Sequence, residues 1–319
     1  MVYILAPKIG WEKEMQAVLD SKRCTLDSRF ELQQTIKFNV LQLKGASTKS
    51  KNQEPCSTEN EVIVGQDSGT MRLDLANTYL FTAFAEVLGI YPDAEGQANE
   101  HTVVLDQTVF HPQGGGQPSD TGLIKSTSAT FEVRMVKLIG NTVHHKGTFQ
   151  GTELFAVGDT VQLEIDEEKR RLFARLHSAG HLIDSAVANL GYYSHLKPSK
   201  GYHFPDGPYV EYIGKLTEDQ KKGFVEKMNE ELKKLVEQSS IVEVNERSAA
   251  DLKTNPPQGL ILDMIPDSLG ESQVRIVTIA DQPCPCEGTH VLNVADICQM
   301  YVTKIKNKKG NLRVSYSVS

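Results

Sequence analysis

Four side chains carry the most evident chemistry in this chain. His177 and His181 stand four residues apart in Leu176-His-Ser-Ala-Gly-His181, and Cys286 and His290 repeat that spacing in Cys286-Glu-Gly-Thr-His290. On a helix, such a spacing stacks two side chains one turn apart on one face. Three imidazoles and one thiolate are the donor set of a tetrahedral zinc ion. One histidine pair alone reads as core or surface; a second ligand pair, in a chain with five cysteines, points to a metal. Cys284 competes with Cys286 as the sulfur donor, and Pro283 and Pro285 stiffen the loop that decides between them. Four protein ligands would make a closed site and three with a water an open one; spacing does not separate these cases.

The second distinctive stretch is Asp106 to Gly122, in which Gly114, Gly115 and Gly116 lie between Gln113 and Gln117. Consecutive glycines reach backbone angles closed to other residues and leave amides available for hydrogen bonding. A hairpin turn or bulge is the plainer reading. The Gly-Lys-Ser/Thr ending of a nucleotide-hydrolase phosphate loop is missing.

Elements must position these groups. Residues 167–190 predict a helix capped by Asp166, with Glu167 and Glu168 in its first turn and an apolar stripe of Phe173, Leu176, Gly180, Ile183, Val187 and Leu190. A second helix is predicted over 217–238, capped by Thr217. Short β-like runs at 78–88, 102–109, 130–138, 142–146 and 160–165 predict a small barrel or sandwich. Further strands are expected at 241–244, 260–264, 274–279, 300–305 and 312–316. The fold class is therefore α+β: a small β-barrel domain (73–165), then long helices over a mostly antiparallel sheet (166–319). Residues 1–72 form an N-terminal extension with a possible short helix over 9–22, strands within 29–44 and a polar linker near 45–60.

Bulk properties narrow the partners. With 319 residues, 39% hydrophobic and 24% charged, the composition is that of a globular protein. A net charge of −7 gives no global basic field, so any nucleic-acid contact must be local. An odd number of cysteines argues for a reducing compartment. The N-terminus shows no cleavage pattern, acids Glu12 and Glu14 follow at once, and no run reaches the roughly 20 apolar residues of a membrane span. A cytoplasmic protein with no membrane partner is expected; oligomeric state is not encoded in any motif.

The motifs together resemble the alanyl-tRNA editing family, free-standing relatives of the editing domain of alanyl-tRNA synthetase, in its medium-length type. Four stretches carry the resemblance: Thr108 to Gly122, Arg175 to Leu182, Lys200-Gly-Tyr-His-Phe204, and Cys286 to Val291. Their order and separation match the family from about residue 73 to 318. The metal motifs are shared with the editing domain of threonyl-tRNA synthetase, whereas the glycine-rich loop points to the alanyl branch. Glu287 departs from the family's Cys-Gly-Gly-Thr-His, residues 1–72 have no recognised counterpart, and the C-terminal tRNA-binding domain of the longest members is not expected here.

The resemblance implies hydrolysis, without ATP, of the ester in tRNA(Ala) mischarged with serine or glycine. A pocket that accepts alanine cannot strongly reject serine, because one hydroxyl is worth only about 1–3 kcal/mol, so a second site must remove the error. It implies Zn²⁺ on His177, His181, Cys286 and His290, organising ester and water. Thr108 is the expected reader of the serine hydroxyl, with Gln113 and the amides of Gly114, Gly115 and Gly116 bordering the aminoacyl-adenosine. Tyr202, His203 and Phe204 would line the cleft and stack on the terminal adenosine, or be ordinary strand residues. Lys197, Lys200, Lys304, Lys306, Lys308, Lys309 and Arg313 are expected to contact phosphates near the acceptor end, or to form a solvated hairpin. Glu287 keeps open a silent tRNA-binding protein; a zinc hydrolase of small aminoacyl esters is a further alternative.

Overall fold

Strands rich in β-branched and aromatic residues close on themselves between residues 82 and 165. The computed structural model describes residues 69–92, 99–308 and 310–319. The helix expected over 9–22, the strands within 29–44 and the linker near 45–60 lie outside the described residues. All described residues belong to one unit, Val64–Ser319.

A short strand β1 (Met71–Arg72) and a one-turn helix α1 (Leu73–Ala76) precede β2 (Thr82–Pro92), β3 (Glu100–Leu105), β4 (Gln107–Thr108), β5 (Gly122–Lys125), β6 (Thr130–Ile139), β7 (Thr142–Phe149) and β8 (Thr160–Ile165). β1 and β4 pair in parallel, and the other strands close a barrel in the order β2-β3-β7-β6-β5-β8. Its inward residues, among them Val87, Val103, Leu105, Ile124, Phe131, Val133 and Leu163, form one core. Alternation along β7, and along β6 up to the irregularity between Val133 and Met135, places every second side chain there, as a half-buried strand requires. The expected barrel is thus present, with six strands.

Helix α2 (Glu167–Asn189) begins where its sequence predicts, and the Asp166 side chain accepts the Lys169 N–H at 3.1 Å. Beyond it come β9 (Leu196–Tyr202), β10 (Tyr209–Gly214), the short helix α3 (Glu218–Lys221) and α4 (Phe224–Gln238). The single helix expected over 217–238 is therefore two. Lys222 is extended (φ −67, ψ 118) and Gly223 left-handed (φ +71), a turn that side-chain periodicity does not reveal.

Strand β11 (Glu243–Ser248), helix α5 (Ala249–Thr254), β12 (Gln273–Ile279) and β13 (Gln282–Pro285) make a three-stranded sheet with its own small core. The strand expected at 260–264 is instead a 3₁₀ turn over Leu262–Met264. Pro256, Pro257 and Pro266 flank this segment and donate no ladder hydrogen bond. Finally β14 (Met300–Lys308) and β15 (Asn311–Val318) join β10 and β9 in an antiparallel sheet ordered β14-β15-β10-β9. Its inner face, with Val210, Tyr212, Leu312, Val314 and Tyr316, shares one core with the stripes of α2 and α4. No helix among the described residues is long and apolar enough to cross a membrane.

A buried ion pair fixes α2 against the barrel. Arg170 and Asp120 are 0% and 1% exposed at the side chain. The guanidinium also donates to the carbonyls of Thr78 (2.7 Å) and Val109 (2.5 Å), while Asp120 accepts the His111 N–H at 2.6 Å. One arginine in the first turn of α2 thus ties both ends of the glycine-rich segment to the helix that carries the histidines.

Candidate metal centre

His177 and His181 project from one face of α2, and Cys286 and His290 come from the loop after β13. One ligand atom from each lies within 4.8 Å of the other three. Cys286 Sγ is 3.5 Å from His177 Nε2 and 3.3 Å from His290 Nε2. Cys284 Sγ points instead to the carbonyl of Pro285, so the structure selects Cys286 between the two thiols.

The imidazoles are aimed from behind. His177 Nδ1 meets Gln117 Oε1 at 2.7 Å, and an amide oxygen only accepts, so Nδ1 carries the proton and Nε2 turns inward bare. Gln117 is fixed in turn by Thr289, whose N–H donates to Oε1 (3.1 Å) and whose hydroxyl accepts from Nε2 (2.9 Å). His290 Nδ1 meets the Ser178 hydroxyl at 3.1 Å, again leaving Nε2 for the cluster. His181 Nδ1 lies 3.9 Å from Asp184, and its buried Nε2 has no partner among the described residues. An inward imidazole nitrogen left without a protein partner is what a metal ligand requires, and the donor set fits zinc. Arg275 pins the ligand loop by donating to the carbonyls of Cys286 (2.7 Å) and Gly288 (3.1 Å).

Burial sets the protonation states. It drives His177 and His290 well below the usual imidazole range, His181 to about 4 and the neighbouring His203 to about 3, so all four are neutral near pH 7. Burial also pushes the Cys286 thiol up to about 11 against the opposing Gly288 N–H and Arg275 charge. Asp184 is raised to about 7 by burial, opposed by the hydrogen bond from Tyr212.

A cleft of about 560 Å³ opens above the cluster. Gly115, Gly116, His177, His181, Cys286 and Glu287 line it together with Lys200, Gly201, His203 and Glu211. Of the glycine-rich segment, then, Gly115 and Gly116 border the cleft. Gly114 and Gln113 are exposed and do not line it; the Gly114 and Gln117 backbones pair in a tight turn, so the plainer hairpin reading also holds in part. Thr108 is fully buried away from the lining. Its hydroxyl meets His145 Nε2 at 2.8 Å and accepts the Phe110 N–H at 3.0 Å.

Tyr202, His203 and Phe204 do not form one surface. His203 turns into the cleft, whereas the Tyr202 ring stacks on Phe204 (4.6 Å) and Tyr209 (5.3 Å) outside it. Arg313 lies 3.7 Å over Tyr209. The basic residues do gather. Lys197, Lys200, Lys304, Lys306 and Arg313 all belong to the β14-β15-β10-β9 sheet, where Lys200 pairs across from Glu211 and Lys306 from Arg313. Glu211 takes ion pairs from both Lys200 (3.5 Å) and Arg313 (2.6 Å). Lys308 ends β14, while its side chain and Lys309 lie outside the described residues.

Sequence reasoning passed over Gln117, Ser178, Thr289 and Arg275. Ser178 and Thr289 sit inside the two motifs that carry the His and Cys pairs, and Gln117 closes the glycine run, which was the available signal. Gln117→Leu should therefore weaken metal binding about 10–100-fold while leaving the fold intact, since it frees the His177 ring. Competition titration with a chromophoric chelator measures this; unchanged affinity would deny Gln117 its orienting role.

The family model for tRNA synthetases class II (A) matches residues 35–169. That match starts inside the first 72 residues, for which sequence reading alone found no counterpart. Alanine–tRNA ligase 1 of Lachnoclostridium phytofermentans is 32% identical over 262 residues, 81% of this chain and 27% of that protein. The alanyl-tRNA editing protein AlaX-L of Pyrococcus horikoshii is 27% identical over 225 residues, 69% of this chain and 52% of that protein. The chain spans about half or less of the length of these relatives. With its two motifs folded into one His/Cys cluster and these likenesses along its length, the chain is similar to the alanyl-tRNA synthetases and to the alanyl-tRNA editing protein.

Proposed function

We propose that this chain hydrolyses the ester of mischarged tRNA(Ala), with Ser-tRNA(Ala) as the principal substrate and Gly-tRNA(Ala) as a second, in the cytoplasm. The observation that carries the reading is the inward-facing Nε2 set of His177, His181 and His290 with Cys286 at the base of an open cleft. These four residues would hold Zn²⁺, which supplies Lewis acidity toward an ester carbonyl or a water. Gln117 and Ser178 fix the two ring orientations, and Arg275 holds the loop. Gly115 and Gly116 present backbone without side chains to the aminoacyl end. In this reading residues 73–165 supply the glycine-rich wall and 166–319 the ligands.

The acceptor end must reach the cleft past polar surface, and the solvent face of the β14-β15-β10-β9 sheet offers it. Lys200 stands at both the cleft and that face, and the exposed Lys304 and Lys306 make no ion pair among the described residues. Phosphate contact there would position tRNA without reading bases. Lys304→Glu with Lys306→Glu should weaken tRNA(Ala) binding and flatten its log–log salt slope by about 1.4–1.8, the share of two phosphate contacts. An unchanged slope in filter binding would leave this face merely solvated.

Purified chain loaded with zinc, given Ser-tRNA(Ala), tests the function itself. Release of serine that stops on chelation and returns on adding zinc supports it; a folded, metal-loaded chain that releases nothing contradicts it.

A further inference from the structure

The polar groups buried in the cleft are nearly all committed. His177 Nδ1 is held by Gln117, Asp184 by Tyr212, and Glu211 by Arg313 and Lys200. His203 differs. Its side chain is nearly buried, 4% exposed, and its ring stacks on His177 at 4.4 Å and 22°. His203 Nδ1 lies 2.6 Å from the Tyr316 hydroxyl, which spends its one hydrogen on the Leu176 carbonyl at 2.9 Å. The Tyr316 oxygen must therefore accept from His203 Nδ1–H, and the neutral ring keeps its lone pair on Nε2. No hydrogen bond reaches Nε2 from the described residues. Two glycines make room for the ring: a Cβ at Gly180 would lie 2.4 Å from its Cε1, and one at Gly201 would lie 2.2 Å from Nε2. The fold thus sets a fixed, bare acceptor at the wall of the cleft, one ring away from the metal ligands.

We propose that His203 Nε2 is the group that reads the serine side-chain hydroxyl, accepting its hydrogen. Thr108, to which the sequence assigned that task, has its hydroxyl taken up by His145 and Phe110. Glu287 also lines the cleft, but a carboxylate attracts the α-ammonium that serine, glycine and alanine share, so it cannot tell them apart. Alanine gives Nε2 no hydrogen, and its methyl displaces the water there and leaves a buried acceptor unpaired, whereas glycine has no side chain and leaves that water in place; a polar site separates near-isosteres in this way. The inference rests on the editing reading above.

The test compares deacylation of tRNA(Ala) charged with serine, glycine and alanine by wild type, His203→Phe, His203→Gln and Tyr316→Phe, each checked for zinc content and circular dichroism. His203→Phe should lower the seryl rate about 10–100-fold while the glycyl rate stays within about twofold and the alanyl rate, freed of the unpaired acceptor, does not fall. His203→Gln, which restores an acceptor oxygen, should recover part of the seryl rate. Tyr316→Phe loses one oxygen and keeps the ring; by releasing the tautomer it should lower the seryl-to-glycyl ratio several-fold, and it decides the matter if His203→Phe does not fold. Equal losses on all three esters, or an unchanged ratio in Tyr316→Phe, would overturn the role of His203 and leave the editing function standing. Wild type inactive on every ester would overturn the editing function itself.

Discussion

Arg170→Met should destabilise the chain by about 3–5 kcal/mol, the cost of leaving a buried carboxylate without its cation. Asp120 is 1% exposed, and its remaining partner, the His111 N–H, cannot balance its charge. The loss reaches further than the pair. The carbonyls of Thr78 and Val109 lose their donor, and the first turn of α2 loses its attachment to the barrel. Because His177 and His181 lie two and three turns further along α2, the substitution should also loosen the ligand cluster. Urea unfolding followed by circular dichroism measures the stability. A cost within about 1 kcal/mol would mean that solvent reaches Asp120 easily and that packing alone holds the helix, since substitutions away from buried features seldom exceed that.

Cys286→Ala with His290→Ala should abolish stoichiometric zinc binding. Two of four donors are removed, and structural zinc sites of this donor type are worth about 10–16 kcal/mol in apparent binding. Of the four ligands only Cys286 packs against either core, and it does so as a partly buried residue at the margin of the helix–sheet core, so the variant should fold. Deacylation should fall at least about a hundredfold, in keeping with the several kcal/mol of charge stabilisation a catalytic metal contributes. Metal analysis of dialysed protein reads the first effect directly. Retention of one zinc per chain by the double variant would place the ion elsewhere.

The parts of this structure that were legible in the sequence are those governed by local periodicity. The bounds of α2 follow from Asp166 and an apolar stripe, and the barrel strands β6, β7 and β8 from alternation. The His/Cys cluster was legible because two four-residue spacings of rare residue types seldom coincide. What failed depends on long-range pairing. Leu196-Lys-Pro-Ser-Lys-Gly-Tyr202 has no apolar alternation and becomes β9 only because β10 pairs with it. Chain direction at its end then sends Tyr202 outward and His203 inward, a separation that three adjacent aromatic residues do not announce. Thr108 and Gln117 show the same limit from opposite sides. Both belong to the glycine-rich motif, yet contact with His145 buries one in the barrel and contact with His177 brings the other to the cluster.

The editing reading requires that this chain remove the wrong amino acid from tRNA(Ala) at a zinc site. The most direct measurement is the single-turnover deacylation of tRNA(Ala) charged separately with serine, glycine and alanine, by wild type and by Cys286→Ala/His290→Ala. Rapid loss of serine, loss of glycine, alanine spared and an inactive variant are the expected results. Wild type that folds, binds zinc and leaves all three esters intact would contradict it.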